Sequence, residues 1–140
     1  MKILFLCRGN VGRSQMAEAL FRKMTDNRHE VISAGIKLSG AEQPIEELGS
    51  IIDNLNIVMK EEGLDISKNI RKQVTQEMIN DAEKIILTVD ERDLIPDNLR
   101  NNQKVVIWNV VDPKNQSLEF TRQIKDQIKD LIENFLKSLL

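Results

Sequence analysis

Few side chains in this chain are suited to chemistry. Cys7 is the only cysteine among 140 residues, and His29 is the only histidine. Cys7 closes the apolar run Ile3-Leu4-Phe5-Leu6, and Arg13 follows six positions later, where a helical pattern begins. The joint between them reads Arg8-Gly9-Asn10-Val11-Gly12. A helix N-terminus carries unpaired N–H groups and the positive end of the helix dipole, so it attracts anions. Gly9 and Gly12 are expected to let the backbone curl its N–H groups onto a common point. Arg13 adds a planar fork that fits two oxygens of a phosphate-like dianion. The same field favours the thiolate, the nucleophilic form of cysteine. Ser14 is placed to donate a hydrogen bond to that thiolate. Asn10 is placed to brace the loop by side-chain to backbone hydrogen bonds.

The nucleotide loops GxxxxGK[ST] and GxGxxG are absent here, which points to a cradle for one tetrahedral oxyanion. Asp112 follows the last strand-like run and precedes Pro113. It is expected on the same sheet edge as Cys7, where it can act as a general acid, although Asp-Pro also suits a simple turn. A net charge of −2 and a pI near 5.5 give no overall attraction to nucleic acid or to an anionic membrane. Any bound anion must therefore be held locally. One cysteine excludes an internal disulfide framework, and one histidine argues against a histidine metal site or a Ser-His-Asp triad. No metal or cofactor is expected. The run Ile3 to Leu6 is too short for a signal segment or a membrane span, so a cytoplasmic protein with a reduced thiol is expected.

The elements that must position these residues are legible from periodicity. Apolar runs at Ile3–Leu6, Glu30–Ala34, Lys84–Val89 and Lys104–Trp108 predict four strands, the continuous run Ile3–Leu6 fitting a strand buried on both faces. Helical spacing begins at Arg13 with Met16, Ala17, Leu20 and Met24. A second helix is predicted from Pro44 to Glu62, stopping at Gly63. Thr75 reads as a cap, and Ser117 to Leu140 as one long amphipathic helix. Lys60-Glu61-Glu62 and Lys125-Asp126 read as solvated helix faces. Trp108 reads as strand core, with an aromatic face for substrate as the alternative. Strands alternating with helices predict an α/β fold: one domain over residues 1–140, with a four-stranded parallel sheet and helices on both faces.

The segment Cys7-Arg8-Gly9-Asn10-Val11-Gly12-Arg13-Ser14 resembles the C-x5-R-S loop of the low-molecular-weight protein tyrosine phosphatases and of the arsenate reductases that share their fold. Met16-Ala17-Glu18, Ser33-Ala34-Gly35, Gly63 to Ser67, Arg71-Lys72-Gln73 and Asp112-Pro113 follow in the family's order. The resemblance implies that Cys7 attacks phosphorus and forms a cysteinyl-phosphate. Arg13 and the N–H groups of Arg8 to Ser14 would hold the equatorial oxygens. Asp112 would protonate the leaving group and then activate water. The partner would be a phosphorylated protein or a small phosphomonoester.

The chain also departs from the family. Gly12 stands where many members have a second cysteine, and Lys114-Asn115-Gln116 stands where many have aromatic residues. Lys68 lies near the position of a histidine that supports the loop serine in many phosphatases. Gln15 replaces the usual proline and resembles the arsenate-reductase branch. That branch needs two further cysteines for its thiol cascade, so arsenate reduction here requires an external thiol or redoxin. A non-catalytic oxyanion- or phosphopeptide-binding module is the third reading, against which Asp112 argues.

Overall fold

The computed structural model describes all residues, Met1–Leu140. Four parallel strands, β1 (Lys2–Cys7), β2 (Glu30–Gly35), β3 (Lys84–Thr88) and β4 (Val105–Trp108), form one sheet in the order β2-β1-β3-β4. Helices are α1 (Arg13–Met24), α2 (Asp53–Glu61), α3 (Gln76–Asp81), α4 (Asp97–Arg100) and α5 (Leu118–Ser138). Thr75 and Ser117 cap α3 and α5 by accepting from the N–H groups of Met78 and Phe120. No helix is long and apolar enough to cross a membrane.

The apolar runs are continuous because alternate side chains feed two cores. Ile3, Phe5 and Ile86 pack with Leu20, Phe21, Ile128 and Ile132 against α1, α2 and α5. Leu4, Leu6, Ile85 and Leu87 pack with Ile79 and Leu99 on the face covered by α3 and α4. Trp108 belongs to the first core, its ring 5.9 Å from Phe5 and 6.4 Å from Phe135. It is strand core and does not face the cleft.

Two expectations require correction. The helix predicted from Pro44 to Glu62 is two pieces. A 3₁₀ segment, Ile45–Ile52, is broken at Gly49, whose φ of 75° no continuing helix can hold, and α2 begins after it. The break turns Leu48 and Ile51 toward the cleft described below. The supposed solvated faces also meet. Glu62 joins Lys125 at 3.0 Å and Lys129 at 2.9 Å, and Glu61 joins Arg122 at 2.7 Å, which clamps α2 to α5. Lys125 is buried there. The interhelical packing is tertiary and has no signature in either local charge run.

The sheet order places a switch point at β1. The connection from β1 leads to β2 on one side, while β3 lies on the other. Open parallel sheets bind ligands at the carboxyl ends of strands at such a point. Cys7 is the last residue of β1, so topology alone places it there.

Candidate active site

The loop from Cys7 to Gly12 folds into a cup at the start of α1. Helix α1 begins after Gly12 with no side-chain cap and no acid in its first turn, so its positive end faces the loop uncompensated. The left-handed residue in the cup is Asn10, with φ of 55°, rather than either glycine. Asparagine tolerates that region because its short amide bonds locally. Here the amide is buried and fully engaged. Its Nδ2 donates to Ser14 Oγ at 2.8 Å and to Ser33 Oγ at 3.0 Å. Its Oδ1 accepts from the Lys72 N–H at 3.0 Å and from Gln15 Nε2 at 3.2 Å. The Lys72 N–H can only donate, which fixes the orientation of the amide.

That orientation sets the direction of the next bond. Ser14 Oγ already accepts from Asn10, so its own proton is free to point at Cys7 Sγ, 2.9 Å away. The expected hydrogen bond from Ser14 to the sulfur is therefore geometrically available. Its support comes from Asn10 rather than from the 68 position. Asn69, one residue on, donates to Gln15 Oε1 at 3.2 Å and so extends the same network.

Arg13 is 2% exposed. Its Nη1 donates to Glu91 Oε1 at 2.6 Å and to the Val110 carbonyl at 2.9 Å, and its Nη2 donates to Glu91 Oε2 at 3.3 Å. Asp90 lies 3.5 Å from Nη1. Asp112 Oδ2 lies 3.8 Å from Nη2. No protein group accepts from Nε, so the Nε–Nη2 edge keeps a bidentate face for an oxyanion. Burial disfavours the Arg13 charge, but the Glu91 hydrogen bond and the nearby Cys7 and Asp112 charges outweigh it and raise the pKa. Burial alone would raise the Glu91 carboxyl; the Arg13 hydrogen bond and charge overcome it and lower Glu91 to about 2. Asp90 moves the other way, raised chiefly through its contact with Glu91.

Asp112 stands after β4, its Oδ1 accepting from the Lys114 N–H at 2.9 Å, in an Asx-type turn that fixes the carboxylate. It shares one cleft of about 710 Å³ with Cys7, Arg8, Gly9, Val11 and Arg13. Leu48, Ile51 and Leu55 form an apolar wall, and no aromatic side chain lines the cleft. The sequence thus brings Cys7, Arg13, Ser14 and Asp112 together as expected, with Arg8 and the loop around them.

Glu91, Val110, Ser33 and Arg71 were not assigned roles from the sequence. Arg71 is buried, and its Nε and Nη2 donate to the Gly9 carbonyl at 3.3 and 3.2 Å. Ser33-Ala34-Gly35 and Arg71-Lys72-Gln73 stood out only as family-like segments, and both prove to be walls of the cup. A Cβ on Gly35 would lie 2.9 Å from the Arg8 carbonyl oxygen, so β2 can approach the loop only through glycine.

A buried thiol at a strand end, loop N–H groups without backbone acceptors, an arginine edge and a carboxylate across one cleft define an oxyanion-binding cysteine enzyme. The family model described as low molecular weight phosphotyrosine protein phosphatase matches residues 2–140, and the chain belongs to that family. It is a phosphatase-type enzyme with the chemistry of a cysteine phosphatase. An arsenate reductase of Staphylococcus aureus is 30% identical over 133 residues, covering 95% of this chain and 94% of that one. The YwlE arginine phosphatase from Geobacillus stearothermophilus superposes with a TM-score of 0.78 at 27% identity, over 99% of this chain and 92% of that one. An arsenate reductase in the phosphate binding state superposes with a TM-score of 0.79 at 25% identity, over 99% and 98% of the two chains.

Proposed function

We propose that the protein is a phosphomonoesterase of the low-molecular-weight protein tyrosine phosphatase type, working through a cysteinyl-phosphate at Cys7. The observation that carries this reading is Cys7 Sγ, 2.9 Å from Ser14 Oγ, sharing a cleft with the Asp112 carboxyl. In the first step the Cys7 thiolate forms an S–P bond as the P–O bond to the leaving group breaks. Asp112 gives its proton to the departing oxygen. In the second step the Asp112 carboxylate takes a proton from water, the oxygen attacks phosphorus, and the S–P bond breaks to return thiolate and release inorganic phosphate. The loop N–H groups and the free edge of Arg13 hold the three equatorial oxygens throughout. The phosphate-binding arsenate reductase of the same fold supports a cup made for a tetrahedral oxyanion. A single unpaired thiol as nucleophile fits a reducing, cytoplasmic setting.

The test is hydrolysis of p-nitrophenyl phosphate near about pH 6, with Cys7→Ser as control. Turnover is expected in the wild type and is lost in the variant, while phosphate or vanadate affinity is retained. Turnover that survives in Cys7→Ser removes Cys7 as nucleophile.

A second reading, arsenate reduction, is favoured by the 30% identity to the Staphylococcus aureus arsenate reductase. Cys7 would displace an arsenate oxygen to form an S–As(V) bond. An external thiol would attack the sulfur, releasing arsenite and leaving a mixed disulfide, which a second thiol reduces. Arsenite formed with added thiol, in the absence of phosphatase turnover, would select this reading.

A further inference from the structure

Arg71 is 5% exposed and has no carboxylate partner, because none of the protein's ion pairs includes it. Burying an unpaired charge is costly, so its position beside the catalytic loop requires a reason. Three hydrogen bonds, two to the Gly9 carbonyl and one to the Ser39 carbonyl at 2.7 Å, leave two of the five guanidinium N–H donors without a partner. Glu42, beside the Gln43 carbonyl that accepts from the Arg71 backbone N–H, has its carboxylate turned to the Gln73 N–H at 2.8 Å. Arg71 lines the cleft, and so do Arg8 and Lys37, which are exposed and equally without ion pairs. These three cations come from the loops after β1 and β2 and from the strand-like segment that bridges to Gly35. The cleft's acids, Asp53 and Asp112, come from the start of α2 and the loop after β4, the latter also bringing Lys114 to the cleft. In a chain of net charge −2, the β2 side of the cleft therefore holds uncompensated positive charge beyond what the transferred phosphate meets at Arg13.

We propose that Arg71, with Arg8 and Lys37, forms a second anion subsite beside the catalytic cup, and that the enzyme selects phosphomonoesters whose leaving group carries a second negative charge. This rests on the phosphatase reading above. The Gly9 bonds also give Arg71 a positioning effect. Peptides here are trans, so drawing the Gly9 carbonyl outward turns the Asn10 N–H the opposite way, into the cup. The two effects separate experimentally, because loop support acts on every substrate alike and a subsite does not.

The experiment compares kcat/KM for 4-carboxyphenyl phosphate and its neutral match, 4-carbamoylphenyl phosphate. The wild type is expected to favour the carboxylate by about tenfold, as for one well-placed ion contact. Arg71→Gln and Lys37→Gln are each expected to reduce that preference to about threefold or less. Lys37 is exposed, so its variant keeps the test alive if Arg71→Gln does not fold. A binding arm, by calorimetry in the Cys7→Ser protein, compares pyrophosphate with inorganic phosphate. Pyrophosphate should bind about tenfold more tightly, and that advantage should shrink in Lys37→Gln and Arg71→Gln. Equal losses for both anions would reduce Arg71 to loop support and overturn the subsite. So would no preference between the two aryl esters, or a preference for cationic 4-(aminomethyl)phenyl phosphate. If no aryl ester is turned over at all, the phosphatase reading fails, and the binding arm still decides the subsite.

Discussion

Arg13 and Arg71 are both buried against the loop that follows β1, yet their surroundings are opposite. Arg13 sits on the β3 side, forked onto Glu91 with Asp90 and Asp112 near, so its charge is matched before any ligand arrives. Arg71 sits on the β2 side and meets only carbonyl oxygens. A guanidinium gripped along one edge by a carboxylate is held in a fixed plane, with its other edge presented to the reacting group. A guanidinium held only by carbonyls keeps its net charge for a ligand. On the proposed reading, one cleft combines a neutralised, rigid arginine for the transferred phosphoryl group with an uncompensated one for what is attached to it.

The largest break in this comparison is Arg13→Lys. A point charge cannot bridge Glu91 and an oxyanion with two edges, so kcat/KM on p-nitrophenyl phosphate should fall by about 10²–10³. A loss no larger than that of Arg71→Gln would mean that the two arginines are not distinct in role. Next comes the acid side of the cleft. Asp112→Ala should lower turnover of poor leaving groups by about 10²-fold and leave good ones far less affected. An equal loss across leaving groups would remove Asp112 from proton transfer.

Glu91→Gln sharpens the comparison by leaving Arg13 with less charge compensation, as Arg71 already is. Turnover should drop by about tenfold, and stability by about 1–3 kcal/mol, less than for a fully buried pair because the Glu91 side chain is 28% exposed. Chemical denaturation with parallel kinetics would measure both. Unchanged kinetics would mean that Arg13 needs no carboxylate to hold its plane.

The same pair has a smaller signature in acid. Glu91 titrates near 2 in the fold and near its ordinary 4.5 when unfolded. The folded state therefore gains from its ionisation above about pH 4.5, and that gain is lost as pH falls from about 4.5 toward 2. Glu62, lowered chiefly by the Lys129 hydrogen bond, adds in the same direction. Unfolding midpoints should fall less steeply with acid in Glu91→Gln than in the wild type, and parallel curves would refute the assignment. The mildest test is Asn69→Ala. It removes only the donor to Gln15 Oε1, and activity should change by no more than about threefold.

The elements were largely legible in the sequence because their cause is local. Four apolar runs became four strands, and the cap at Thr75 was found, since an apolar run and an N-terminal hydroxyl each leave a short-range mark. The helix predicted from Pro44 failed at Gly49. Apolar spacing on either side of the glycine is helical, and only packing of Leu48 and Ile51 on the cleft shows that the phase is broken. The solvated faces at Glu62 and Lys125 failed for a similar reason, because a charge run does not say what opposes it.

The candidate site divides along the same line. Cys7, Arg13 and Ser14 lie within one strand–turn–helix unit, so their spacing in the chain is nearly their spacing in space, and the sequence by itself determined the cup and its charge. Asp112 was reachable because it follows a strand whose carboxyl end must lie on the same edge. The groups that decide how the cup works come from far along the chain. Glu91 and Val110 reach Arg13 across 78 and 97 residues, and Arg71 reaches Gly9 across 62. Nothing in a glutamate after β3 or an arginine in an irregular segment announces such a partner. Side-chain pairing over that range is set by sheet order and loop packing, so only the tertiary structure decided which arginine is neutralised and which keeps its charge.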